Sequence, residues 1–119
     1  MSVQKTIAQS AENIKQSAPP IDLQFLSAQA GDDRMLVEEL LHMFVKQVRG
    51  LANTMNNSDD IEAILSAAHT LKGTARAVGA LAIEESAEAV ENASAARSQV
   101  KALNAEIDAA CDYVASLLR

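Results

Sequence analysis

Residues 61–79 read IEAILSAAHTLKGTARAVG, and the spacing of the apolar side chains in this stretch decides the fold. Ile61, Ile64, Leu65, Ala68, Leu71, Ala75 and Val78 recur every three or four positions, the period of one buried helix face. Asp59 followed by Glu62 has the spacing of a capping box and predicts the helix start, and Gly79 predicts its end. Upstream, Leu36, Val37, Leu40, Leu41, Phe44, Val48 and Leu51 predict an amphipathic helix from Asp32 or Asp33 to about Met55, which NNSDD interrupts. Downstream, Ile83, Ala87 and Val90 face inward and Glu84, Glu88 and Glu91 outward in a helix predicted over Leu81 to Ala96. Val100, Leu103, Ile107, Cys111, Val114, Leu117 and Leu118 form the seam of a last helix from about Gln99 to the end.

Four long amphipathic helices with short connections predict an all-α fold, an antiparallel four-helix bundle. Asp22 is placed to cap a further short helix, LQFLSAQA, which Gly31 ends and which is expected to cover one end of the bundle. The two prolines at 19–20 mark a boundary. Residues 1–18, with a weak stripe of Val3, Ile7 and Ile14, read as an N-terminal extension, either an extra helix or a frayed tail. Residues 19–119 read as the bundle domain.

Composition agrees. Apolar residues make up 49% of the 119 and aromatic ones only 3%, a mixture suited to helices packed on helices rather than to sheets. The net charge of −6 argues against nucleic acid and anionic membrane surfaces as partners. No apolar run approaches the roughly 18 residues that a membrane span needs, and the first twenty residues lack the apolar core of a secretory signal. A single cysteine excludes an internal disulfide and fits a reducing compartment, so cytoplasm is the expected location; a monomer is the expected state.

His69 interrupts the helix that set the fold. On a helical wheel with Ile61 at zero, the apolar positions centre near roughly 310° and His69 falls near 80°, outside the arc a bundle helix buries. Lys72, Gly73 and Arg76 fall on the same exposed stripe. Gly73 costs about 1 kcal/mol of helix propensity relative to alanine, and its missing side chain clears space beside the ring. No acid occurs between residues 63 and 80, so the stripe reads as locally positive in an acidic chain, a field that favours a phosphoryl group. An exposed neutral imidazole is nucleophilic near pH 7 and can carry a covalent group between two partners.

Blander readings stand beside this one. An isolated surface histidine is often idle, and His42, roughly 160° from its own helix's seam with only ordinary charges for neighbours, reads as solvated. Two histidines on different helices, with no H-E-x-x-H pattern, do not make a metal site. Cys111 reads as a small core residue. A helical adaptor that binds a partner protein without chemistry remains a competing class.

His69, Leu71, Lys72, Gly73, Ala75 and Gly79, standing in HTLKGTARAVGA, are similar to the signature H-x-L-K-G-x-A, followed by a glycine, of histidine-containing phosphotransfer (HPt) domains. The resemblance extends over about residues 20 to 119. It implies a phosphorelay intermediate of two-component signalling rather than an autonomous kinase. His69 would accept a phosphoryl group from an aspartate of a receiver domain and pass it to another response regulator. Lys72 would orient the phosphoryl oxygens, and Gly73 would leave room for the receiver. Thr74 stands where the family often has serine. Arg76 falls at a variable family position, so its phosphoryl-stabilising role rests on the wheel alone. Such domains dock their partners through a partly apolar surface near the histidine, for which Leu65, Phe25 and Leu26 are the candidates. The implied partners are receiver domains of response regulators and hybrid sensor kinases, with Mg2+ on the receiver and no cofactor on this chain. A piece of a larger hybrid sensor kinase is the close variant of this reading.

Overall fold

A computed structural model describes residues 19–119. Five helices follow one another: α1 Leu23–Gln29, α2 Arg34–Asn57, α3 Ile61–Val78, α4 Leu81–Asn92 and α5 Arg97–Leu117. Among the described residues there is no strand. The extension at 1–18 lies outside the described residues. Helix α2 packs on α3, α3 on α4, α4 on α5, and α5 returns to α2. That closed ring is the expected four-helix bundle. Helix α1 rests on α2 and α3.

Aspartate caps set three of the helix starts. Asp22 accepts from the Phe25 N–H at 3.0 Å and Asp33 from the Leu36 N–H at 3.2 Å, each quenching a donor that the first turn leaves unpaired. At α3 the cap is Asp60, which accepts from the Glu62 N–H at 3.0 Å, and not the expected Asp59. The Ser58 hydroxyl accepts from the Asp60 N–H at 3.1 Å, and this local turn carries the chain one residue further before the helix begins.

Helix α4 stops at Asn92 rather than at Ala96. Ser94 and Ala95 take left-handed φ values of 51° and 63°, and the Ala95 N–H donates to the Val90 carbonyl at 2.9 Å. The reversal is complete by Ala96, so α5 begins at Arg97, two residues earlier than the apolar pattern indicated.

The core joins Leu41, Phe44, Val48 and Met55 of α2 to Ala67, Ala68, Leu71, Ala75 and Val78 of α3. Ile83, Ala87 and Val90 of α4 and Val100, Leu103, Ile107, Cys111 and Val114 of α5 complete it. Each large side chain buried there stabilises the fold by about 1.5–3 kcal/mol. Leu36, Ile61 and Leu117, expected in the seams, are exposed. All three sit in the first or last turn of their helix, beyond the layers of facing side chains.

The covering helix is pinned at its start. Gly79 ends α3 with φ 71°, and its carbonyl accepts from the Asp22 N–H at 3.0 Å. A Cβ on Gly79 would lie 2.8 Å from Asp22 Cβ and 3.2 Å from Phe25 Cδ2. Only glycine permits both the left-handed turn and this approach. Ile21 and Leu26 plug the end of the core that α1 covers. Leu26, a docking candidate from sequence, is only 1% exposed. It holds α1 down and has no surface to offer a partner. Among the described residues no helix is long and apolar enough to cross a membrane.

Candidate functional site

The turn between α3 and α4 consists of Gly79 and Ala80 alone. Two helices folded back on so short a turn bring together residues equally distant from it. Arg76 and Glu84 are each four positions from Ala80, and the Arg76 Nε–H donates to Glu84 Oε1 at 2.8 Å. His69 and Glu91 are each eleven positions from Ala80, and His69 Nδ1 lies 3.2 Å from Glu91 Oε2. Lys72, on the next turn of α3, sets its ammonium 2.9 Å from Glu91 Oε1. One carboxylate on α4 therefore spans the histidine and the lysine on α3.

The exposures of these groups differ in a useful way. The His69 side chain is 72% exposed, whereas Glu91 and Lys72 are at 25% and 21%. The ring stands in solvent on a base that does not. Glu91 Oε1 is shielded from water, and the Lys72 ammonium 2.9 Å away neutralises it. The Lys72 ammonium holds the Glu91 carboxyl below its ordinary range against partial desolvation, and His69 assists. Glu91 is thus an anion at neutral pH, and an ionised carboxylate only accepts hydrogen bonds. The proton of the neutral imidazole accordingly belongs on Nδ1, and Nε2, across the ring, keeps its lone pair.

Gly73 follows His69 by one turn, and a Cβ placed on it would meet nothing within 4 Å. No packing demand accounts for the missing side chain. The surface beside the ring is open there.

The local charge differs from the sequence expectation. The sequence of residues 63 to 80 predicts a positive island, but α4 lays Glu84 and Glu91 against it. Lys72 and Arg76 are each matched by one carboxylate, leaving the four side chains with no net charge. Glu84 and Glu91, read as outward, flank the α3–α4 groove. The signal that locates them is the symmetry of their positions about the Gly79–Ala80 turn, which a wheel drawn for one helix at a time does not contain.

The remaining candidates fall around this centre. Leu65, one turn before His69, is half-buried. Phe25 lies with Arg76, Gly79, Leu81, Glu84 and Tyr113 around an open apolar groove at the covered end of the bundle. Along α3, Arg76 stands about 10 Å from His69. His42 is exposed on α2 and joins none of these groups. Among the described residues no three His, Cys, Asp or Glu side chains gather closely enough to hold a metal ion.

Comparison with known proteins agrees with this geometry. Neither the curated proteins nor the solved structures provide a match. The family model of the Hpt domain matches residues 35–117, from the start of α2 to the end of α5. Since that match spans well over half of a chain whose helices also form the expected bundle, the chain belongs to the Hpt domain family, the phosphotransfer modules of two-component signalling.

Proposed function

We propose that His69 is the phospho-accepting residue of a phosphorelay intermediate, receiving its phosphoryl group at Nε2 from the aspartyl phosphate of a receiver domain and returning it to another. The observation that carries this reading is the hydrogen bond between His69 Nδ1 and Glu91 Oε2 beneath an otherwise solvent-exposed ring. The Nε2 lone pair attacks phosphorus, the bond from phosphorus to the aspartyl oxygen breaks, and the carboxylate leaves with the electron pair. No proton has to leave Nε2, because Glu91 already holds the ring proton on Nδ1. The product ring carries a positive charge that the same carboxylate stabilises. The step demands positioning and charge neutralisation more than acid–base machinery, and the metal and the acceptor aspartate belong to the partner.

Lys72 supports the reading in a second way. Its ammonium pairs with Glu91 Oε1 at 2.9 Å, and having three N–H donors it keeps others for a phosphoryl oxygen. Gly73 leaves the approach clear. Arg76 bonds Glu84 through Nε alone, and its remaining guanidinium donors can reach a partner. Leu65 on one side and Phe25 with the exposed Leu81 on the other are the apolar anchors we assign to the docked receiver. The bundle domain at 19–119 is then the phosphocarrier unit, acting in the cytoplasm on response regulators and hybrid sensor kinases without kinase activity of its own.

The test is phosphotransfer from purified phosphorylated receiver domains. A carrier acquires an acid-labile, base-stable phosphoryl group that is absent from His69→Gln. A receiver panel that binds the chain without transferring phosphoryl would make it an adaptor instead.

A further inference from the structure

Helix α2 carries a second apolar stripe outside the core. Leu36, Met43 and Gly50 follow one another at seven-residue intervals, on the side of the helix turned away from the buried Leu41, Phe44 and Val48. Met43 is 59% exposed and Met35, beside the stripe, 81%. Two shallow depressions flank Met43, one around Leu36 and one around Gly50, and α2 with its cap Asp33 lines both. Among the described residues no other helix covers this face.

Gly50 makes the stripe unusual. It lies in the middle of a long helix, where glycine is unfavourable by about 1 kcal/mol relative to alanine. Its φ is not left-handed, and a Cβ there would meet nothing within 4 Å. Neither the backbone nor the packing among the described residues calls for glycine. It leaves a hollow on the surface, seven residues from an exposed methionine and fourteen from an exposed leucine.

The charges beside the stripe are divided along the helix. Asp33 at its cap and Glu39 lie on the acidic side of Met43, while Lys46 lies on the other. A parallel neighbour with this pattern would be repelled. An antiparallel copy would be attracted. With a two-fold axis at Met43, Met43 meets its counterpart, Leu36 enters the hollow over the other Gly50, and Glu39 faces the other Lys46, twice over by symmetry. Glu39 and Lys46 occupy the same flank of the stripe, as antiparallel helix pairing requires, and the opposed helix dipoles add to the attraction.

From this charge complementarity and knob-and-hollow register, we propose that the outer face of α2 is an isologous docking surface for a second copy of the chain, paired antiparallel about Met43. A patch of one helix face is small for a stable dimer, near the low end of specific interfaces at about 1,000 Å2 in total. The association is accordingly weak and concentration-dependent. The face lies on α2, whereas His69, Lys72 and Glu91 line the α3–α4 groove, so pairing leaves the histidine free. The monomer expected from the sequence is then the dilute state.

Sedimentation equilibrium of the full chain from about 10 μM to 1 mM tests the proposal. The wild type is expected to shift from monomer to dimer across that range, and to shift less at 1 M salt, where charge pairs are screened. Met43→Glu, which sets two carboxylates against each other on the axis, should leave a monomer throughout. Glu39→Lys should weaken the dimer at least tenfold, and Glu39→Lys combined with Lys46→Glu should restore it. Circular dichroism establishes that each variant is folded. A wild-type chain that stays monomeric at 1 mM overturns the proposal. So does a dimer indifferent to Met43→Glu, or one that the double charge exchange fails to restore.

Discussion

Replacing Glu91 by alanine removes the hydrogen-bond acceptor from His69 Nδ1 and the counter-ion from Lys72 in one change. In Glu91→Ala the neutral ring is free to place its proton on either nitrogen, and only molecules with Nε2 unprotonated can attack phosphorus. A hydrogen bond to a charged group contributes about 1.5–3 kcal/mol in a protected setting. His69 is 72% exposed, so water competes for the same proton, and about 1 kcal/mol is the appropriate figure. At roughly 1.4 kcal/mol per tenfold in rate, the expected loss is about fivefold. Rapid-quench single-turnover transfer from a phosphorylated receiver measures it directly. Nitrogen NMR of the imidazole reads the cause without any partner: wild-type His69 should be protonated at Nδ1 when neutral, and Glu91→Ala should show both tautomers. A wild-type ring protonated at Nε2, or a transfer rate unchanged by the substitution, would refute the reasoning.

The Glu91 carboxyl also links stability to pH. The Lys72 ammonium keeps its pKa in the fold below the ordinary carboxylate value, so its contribution is complete above the unfolded value and disappears as pH falls through the folded one. Urea titrations should therefore find wild type more stable than Glu91→Gln at pH 7, with the gap closing as pH is lowered below about 4.5. Gly73→Leu should raise stability by up to about 1 kcal/mol through helix propensity, while slowing phosphotransfer by blocking the partner; thermal melts and transfer kinetics on one preparation separate the two effects. Because Glu91 neutralises Lys72, Lys72→Ala should slow transfer by the same factor at 0.1 M and 1 M salt, although the Debye length drops from about 10 Å to 3 Å. A slowing that fades at high salt would restore the long-range field inferred from sequence alone.

Most of the architecture was legible because each helix carries its own signals. The seam of α4, that of α5 up to Val114, the aspartate cap at 22 and the helix-ending Gly79 are local features, and the structure reproduces them. The exposure of His69 was legible for the same reason, since a wheel needs only one helix. What escaped was pairwise. Glu91 looks like one of several surface acids on α4 until the Gly79–Ala80 turn lays it across from His69. The positive island vanished with it, since it counted charges along one helix and not across a groove. Leu26 was misplaced by a related limit. Beside Phe25 in a short amphipathic helix, neither residue declares which will face the core, and the contact of α1 with Gly79 decides it.

The account turns on whether phosphorus bonds to one particular nitrogen. Phosphorylating the intact chain with a receiver domain and recording phosphorus and nitrogen NMR spectra identifies that atom. A single phosphoramidate is expected at His69 Nε2, lost on brief acid treatment and missing from a folded His69→Gln variant. Phosphoryl on His42, on Nδ1, or retained by His69→Gln would contradict it.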